Sequence, residues 1–409
     1  MTTLPVSRLG AYELVRLLAQ GGMADIYLAR QSESGALHSG LARQAGLDRH
    51  VAVKVLNTGR ARDVESCALF VDEARVAGLL SHPTLASVYE VDVEDSVHYL
   101  AMEYVHGADL REVLAQAEVR QMAMPFDAAV TIIAGAAAAL DHAHRRCDPE
   151  GRPLHLVHRD VSLSNIMVGH DGSVKVIDFG IAVSTASMHH TNPGIVRGKA
   201  SYMSPEQCLG DPVDLRTDVF ALGIVLYELT TGRRCFNGNS DFERMVGIVR
   251  GEWMLPSQFI PDFPVGLEEV IRTALAQAPE HRYASAAVMI DALEAVAALE
   301  GWQLGAAATA ELMRSLFGEV KAPWTIEAED ATFVCPPPSP AVVWPVTASI
   351  SAPQPTRIMT KPRRLARGTE SDCYEPEERP SPEASDWQDE APTRGRRSVN
   401  RMWCGRVAA

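Results

Sequence analysis

The chain has few cysteines and none in a useful pattern. Its seven, Cys67, Cys147, Cys208, Cys235, Cys335, Cys373 and Cys404, show no C-x-x-C spacing. That argues against a disulfide framework or a zinc site and fits a reducing compartment. There is no basic surplus either: the net charge is −14, so the domain-wide footprint of a nucleic-acid partner is missing. Residues 321–409 hold 12 basic and 12 acidic side chains, leaving 26 against 40 in residues 1–320, which carry the whole imbalance. No run approaches the ~18 uninterrupted apolar residues of a membrane span. The nearest, AAVTIIAGAAAALDHAH (128–144), is alanine-rich, ends in polar residues and reads as a buried helix. The N-terminal MTTLPVSRLGAYEL lacks a basic segment followed by an apolar one, so no secretory signal is expected. These absences lead to the expectation of a cytoplasmic protein with no nucleic-acid partner and no membrane span.

What is present looks globular: 46% hydrophobic and 22% charged residues. At 409 residues the chain exceeds one typical core, which predicts two lobes or domains plus a tail. YELVRLLAQ, DIYLAR and HVAVKVL are short apolar or alternating runs, read as strands, with a long polar connection at 31–50. VESCALFVDEARVAGLLS (64–81) has helical spacing, and TLASVYEVDVEDSVHYLAMEYV holds two further strands. From about 107 onward helices dominate, in DLREVLAQAEV, 128–144, TDVFALGIVLYELTTG and LEEVIRTALAQ, with two more in 284–318. Thirteen of the 25 prolines fall in 321–409, which reads as a mostly disordered tail.

The chemistry-bearing motifs begin at LLAQGGMADIYLAR (17–30). A glycine-rich turn between strands lets backbone N–H groups approach phosphates unobstructed, although adjacent glycines alone occur in many hairpins. Lys54 ends the β-branched run VAVK, and nineteen positions later Glu73 lies on the expected helix. Taken singly, these read as a solvated lysine and a surface carboxylate. HRD (158–160) follows, with Asn165 five residues after Asp160. DFG (178–180) and SPE (204–206) complete the series. The order and context of the set carry more weight than any single triplet.

This set resembles the protein-kinase family, specifically the eukaryotic-type Ser/Thr kinases of bacteria, and GGMADIYLAR, VHRDVSLSN, DFGIA and YMSPEQ are similar to those of myxobacteria. The likeness, over residues 11–298, implies an α+β, bilobal protein kinase fold. An antiparallel N-lobe sheet of five strands with one helix would occupy about 11–105, and a mainly helical C-lobe about 106–298, with ATP between them. An appended helical segment at 299–320 and the disordered tail would follow. By the same resemblance Lys54 pairs with Glu73 and the α/β-phosphates, Asp160 accepts the substrate hydroxyl proton, and Asn165 and Asp178 hold Mg2+. ATP would be enclosed by Leu18, Ala19, Gln20, Gly21, Gly22, Met23, Ala24 and Ile26 of the glycine loop and by Ala52 and Lys54. Met102 matches the gatekeeper, backbone groups of Glu103 and Val105 face the base, and Asp109 reaches the ribose. Arg282 would pair with Glu206, and Asp218 would brace the catalytic loop. The physical logic agrees: phosphoryl transfer is mostly positioning and charge neutralisation, and one Asp plus one Asn suit magnesium better than a His/Cys site would.

The resemblance implies Ser/Thr protein substrates, autophosphorylation on Ser184, Thr185, Ser187 or Thr191 with Arg159 receiving the phosphate, and room for self-association in trans. Alternatives stay open: a pseudokinase or nucleotide-binding scaffold, a small-molecule kinase disfavoured by YMSPEQ, and tyrosine specificity. Two departures stand out. Alanines 19 and 24 replace family glycines, which predicts a stiffer loop. Ser162 stands where a lysine reaches the γ-phosphate, while Lys199 stands where the family carries threonine. The exchange predicts that Lys199 supplies the missing charge beside Asp160. Lys199→Met should then cut turnover by orders of magnitude in a steady-state phosphorylation assay, and unchanged turnover would rule the exchange out.

Overall fold

Alternating apolar residues form strands because a sheet must bury one face. The computed structural model describes residues 8–31, 49–57, 64–178 and 199–322. Most of the connection expected at 31–50, the hydroxyls Ser184, Thr185, Ser187 and Thr191, and the proline-rich stretch from 323 lie outside them. The N-terminal sheet is antiparallel, in the order β1-β2-β3-β4-β6-β5. Its strands are β1 (Arg8–Leu9), β2 (Tyr12–Gln20), β3 (Ala24–Gln31), β4 (His50–Leu56), β5 (Val88–Glu94) and β6 (Val97–Glu103). Five strands were expected; the sixth, β1, is a two-residue edge strand too short to show alternation.

Register sorts the two faces of this sheet. Tyr12, Tyr27, Val51, Val53, Tyr99 and Ala101 form one buried cluster, with Tyr12 and Tyr99 meeting edge to face at 6.2 Å. On the other face α1 (Val64–Gly78) packs Phe70 and Ala74 against Ala24, Leu56 and Leu100. The helix stops at Gly78, three residues short of the apolar run that predicted it. Ile26, Lys54 and Leu100 are paired across β3, β4 and β6, so Lys54 shares the helix-facing side.

The second lobe contains α2 (Leu110–Val119), α3 (Phe126–His144), α4 (Pro205–Leu209), α5 (Arg216–Thr231), α6 (Asp241–Arg250), α7 (Val265–Ala274), α8 (Ala286–Glu300) and α9 (Ala306–Phe317). By length and composition α3 could cross a membrane, yet its Ile132, Ile133, Ala136, Ala137 and Leu140 are fully buried in the core of this lobe. Small side chains let it approach its neighbours; a Cβ on Gly135 would lie 3.1 Å from Val174. Buried on all sides, α5 is the centre of the lobe. A small sheet of β7 (Gly107–Asp109), β8 (Ile166–Gly169) and β9 (Val174–Val176) lies beneath the first lobe. The sequence did not reveal it. It is joined upward, because Ala86 N donates to Val176 O at 3.0 Å and Val176 N to Thr84 O at 2.8 Å.

SPE opens α4: Ser204 and Gln207 form a reciprocal capping box, with proline in the first helical turn. The glutamate of that motif is clamped from below. Arg282 donates to both Glu206 oxygens, at 2.7 and 2.8 Å, and Thr217 Oγ1 adds a bond of 2.6 Å. Burial pushes the Glu206 carboxyl up, but the Arg282 and Thr217 bonds outweigh it and hold it below the usual range. A depressed carboxyl stabilises above its unfolded pKa and loses that contribution as pH falls through the folded one. Arg282→Met should therefore cost about 3–5 kcal/mol near neutral pH, the usual penalty for stranding a buried charge. In urea titrations the deficit should narrow as acid protonates Glu206. An equal deficit at both pH values would show that the ion pair is not the source.

Candidate active site

Lys54 Nζ donates to Glu73 Oε1 at 2.7 Å and to Asp178 Oδ1 at 2.9 Å. The strand, the helix and the segment after β9 therefore converge on one ammonium. The Lys54 and Glu73 side chains are only 12% and 11% exposed, so water screens the pair weakly. Burial favours neutral lysine, but Asp178 and Glu73 more than offset it and the pKa rises. The cation is permanent at physiological pH. Asp178, 26% exposed, sits at φ +50°, a left-handed position for a non-glycine residue, the kind of strain that sites hold for function.

The HRD segment hangs from α5. Asp218, fully buried, accepts His158 N at 2.8 Å and Arg159 N at 2.9 Å, and its Oδ2 lies 2.8 Å from His144 Nε2. Burial pushes this carboxyl up, yet His144 and the loop amides pull it below the usual range. Arg159 takes φ +64°, and Gln207 Nε2 holds its carbonyl at 3.0 Å. Asp160 follows directly. Asn165 Nδ2 donates to Asp160 O at 2.8 Å and to Asp160 Oδ2 at 3.1 Å. Ile177 N donates to Asn165 O at 2.9 Å, which brings Asn165 beside the residue preceding Asp178. Lys54, Glu73, Asp160, Asn165 and Asp178 thus form one connected group.

The remaining expected residues lie on β2, β3, β4, β6 and the turns and segments that adjoin them. Ala19 pairs with Ile26 and Gln20 with Asp25, flanking a turn at Gly21, Gly22 and Met23. Gly21 is needed for close approach rather than for positive φ: a Cβ there would sit 2.7 Å from Ala24 O. Asn57 and Asp25 pin the turn, through Asn57 Nδ2 to Gly21 O at 2.8 Å and Gly21 N to Asp25 Oδ1 at 3.3 Å. Leu18 leads into the turn along β2. Ala52 pairs with Met102, and both are buried, as is Val105. Met102, 6% exposed, lines a cavity of about 20 Å³ together with Glu73, Leu85, Val88 and Asp178, so it packs as core beside the Lys54 cluster. Asp109 caps α2 through Arg111 N and Glu112 N and also binds the Arg111 side chain. Any ribose contact would be an additional bond on that carboxylate.

Two residues escaped the sequence reading. Lys175, on β9, bridges Glu103 at 2.7 Å while Ser87 N donates to Glu103 Oε2 at 3.1 Å, so the segment after β6 is tied to both lobes. His144 supports Asp218. Neither has a local signature, because each acts on a partner remote in sequence. Ser162 bonds Ser164 Oγ at 2.9 Å. Lys199 begins a short helical turn, but its side chain lies outside the described residues, as does its expected approach to Ser162.

Among the described residues no group of three His, Cys, Asp or Glu side chains could cage a metal. One carboxylate and one amide oxygen, Asp178 and Asn165, fit magnesium, which keeps waters and shares phosphate oxygens. A larger cavity of about 590 Å³, lined by His82, His142, Arg145 and Cys147 among others, shares no lining residue with this cleft.

The arrangement has known counterparts. The family model described as protein kinase domain matches residues 12–293. Tyrosine-protein kinase MasK of Myxococcus xanthus is 36% identical over 327 residues, covering 78% of this chain and 49% of that protein. Serine/threonine-protein kinases PrkC of Bacillus subtilis and PknB of Mycobacterium leprae are 35% and 40% identical, each over 68% of this chain and over 39% and 42% of their own length. The chain therefore spans half or less of these relatives. The crystal structure of the Mycobacterium tuberculosis PknI kinase domain matches at a TM-score of 0.52 and 27% identity, over 72% of this chain and all of that one.

Removing the central cation tests the cluster. Lys54→Met leaves Glu73 and Asp178 without their counter-charge, and affinity for Mg-ATP should fall at least about tenfold, or ~1.4 kcal/mol. A fluorescent-nucleotide titration reads this directly. Wild-type affinity would remove Lys54 from the binding group.

Proposed function

The chain belongs to the protein kinase domain family, and on that premise we propose that it is a serine/threonine protein kinase acting on protein hydroxyls with Mg-ATP. The observation that carries the reading is the juxtaposition of two bonded sets, Lys54 with Glu73 and Asp178, and Asp160 with Asn165, joined by the Ile177 N to Asn165 O bond. A nucleotide-binding scaffold without transfer activity would have no need of both Asp160 and the two metal-ligand candidates. Lys54 would neutralise the α/β-phosphates, held in place by Glu73. Asp160 would orient the incoming hydroxyl and take its proton as the oxygen attacks the γ-phosphorus and ADP leaves. Asn165 and Asp178 would hold magnesium, which when bound offsets charge on the phosphate oxygens. The glycine turn, stiffened by Asn57 and Asp25, would cover the phosphates, with Met102 behind the base and the Glu103 and Val105 backbone along it.

Autophosphorylation follows in the same proposal. Arg159 lies next to Asp160, and phosphate on Ser184, Thr185, Ser187 or Thr191 would gain charge-assisted bonds from it. Two copies would meet transiently for that reaction, in the cytosol. Lys199 remains the candidate for the charge that Ser162 lacks.

A tyrosine-directed reading has two supports, Ser162 in the lysine position and the name of the Myxococcus relative. One experiment separates the readings: labelled ATP, magnesium and a generic basic protein, beside Asp160→Asn. Phosphoserine and phosphothreonine are expected, with the rate in Asp160→Asn lower by about 10²–10⁴-fold. Mass spectrometry of the kinase itself should find phosphate within 184–191. Phosphotyrosine alone would overturn the hydroxyl assignment, and equal rates for both proteins would overturn the role of Asp160.

A further inference from the structure

The matched domain ends within α8, yet α9 is built into the same lobe. Thr309, Leu312, Met313 and Leu316, at helical spacing along one face, are at most 2% exposed. Leu312, Met313 and Leu316 join the core shared by α2, α3, β8 and β9. Hydrogen bonds fix the helix at both ends. Gly305 N donates to Thr131 Oγ1 at 3.1 Å, and Gln116 Nε2 donates to Leu316 O at 3.1 Å.

The feature that exceeds ordinary packing is where α9 grips the β8–β9 hairpin. Thr309 Oγ1 donates to Gly172 O at 2.6 Å. Gly172 has φ +85°, and a Cβ there would fall 2.0 Å from Ala306 O, so the helix start rests against the turn itself. Within that turn, two residues before Gly172, His170 meets Phe317 edge to face at 5.8 Å and His106 edge to face at 4.8 Å. His170 N also donates to His106 O at 2.9 Å. His106 directly follows Val105, and Gly107 pairs with Gly169. At its open end the same hairpin emerges from Asn165 and leads into Ile177 and Asp178, joined by the Ile177 N to Asn165 O bond.

We propose that α9 is a positioning element of the nucleotide site. By clamping the β8–β9 turn and, through the Phe317–His170–His106 series, the Glu103–His106 segment, it sets Asn165, Asp178 and the base-facing backbone in one geometry. Thr309 and Phe317 are its two contact points. This rests on the kinase reading above, and it extends the functional unit past the matched domain to residue 317. Burial alone would make α9 a stabilising element; its grip on the β8–β9 turn and, through His170, its reach to His106 give it leverage on binding.

The test uses the full chain with Thr309→Val, Phe317→Ala and Phe317→Tyr, beside Leu293→Ala. Leu293 is a fully buried α8 residue of the same core that lies outside both contact points. Dissociation constants for ADP with and without magnesium are measured below all unfolding transitions, with Tm read in parallel. Thr309→Val and Phe317→Ala should weaken Mg-ADP binding by about fivefold or more, and Phe317→Tyr should restore it. Leu293→Ala should lower Tm with no loss of affinity. Wild-type affinity in Thr309→Val and Phe317→Ala would overturn the proposal, as would equal weakening in Leu293→Ala. Failure of the wild-type chain to bind Mg-ADP at all would instead overturn the kinase reading, and this inference with it.

Discussion

The HRD loop depends on one buried carboxylate. Asp218, within the central helix α5, receives two successive loop amides and faces His144. Burying a carboxylate costs on the order of several kcal/mol, while each hydrogen bond to a charged group returns about 1.5–3 kcal/mol. Three such partners are enough to win, and with them the carboxyl is held below its usual range. The consequence is geometric. Two adjacent N–H groups can point at one carboxylate only if the chain turns sharply, and Arg159 accordingly sits at φ +64°. That turn delivers Asp160 to the cleft, and the five-residue step to Asn165 closes the ring through their mutual bond.

A second constraint links the lobes. The small sheet is held from above by Thr84 and Ala86, and Lys175 on its edge strand β9 reaches Glu103. Glu103 follows the core residue Met102, so the segment between the lobes is fixed by an ion pair as well as by its strand. The Lys54 cluster then draws on both lobes: Lys54 and Glu73 come from the upper, Asp178 from the strand end below. Each lobe supplies charge the other cannot do without.

The legible parts of this design were those with local period or fixed offset. The five long strands, α1 and the alanine-rich α3 announce themselves through alternation or helical spacing, and Lys54, Asp160, Asn165 and Asp178 through motif order. Strands of two to four residues show no period, which is why β1 and β7 to β9 were missed. α6 was legible but overlooked, since Ser240 caps it and Ile248 is buried within it. Lys175 and His144 have no sequence signal, because their partners lie 72 and 74 positions away. The glycine turn carries a further requirement that has no sequence signal. Its glycine is set by the proximity of Ala24 O, a contact that exists only once β2 and β3 pair.

Ser162 gains a different meaning from its surroundings. It is nearly buried and bonds Ser164, whose hydroxyl donates to Asn165 Oδ1 at 3.3 Å. Asn165 Nδ2 is meanwhile committed to Asp160. The amide of Asn165 therefore has its nitrogen fixed toward the carboxylate, and its oxygen turned away from it, toward the serines. A lysine at position 162 would bring charge but could not supply the first hydroxyl of that relay. The serines orient the amide oxygen and bring no charge to this position. A hydroxyl can set direction at a fixed site; it cannot replace a charge.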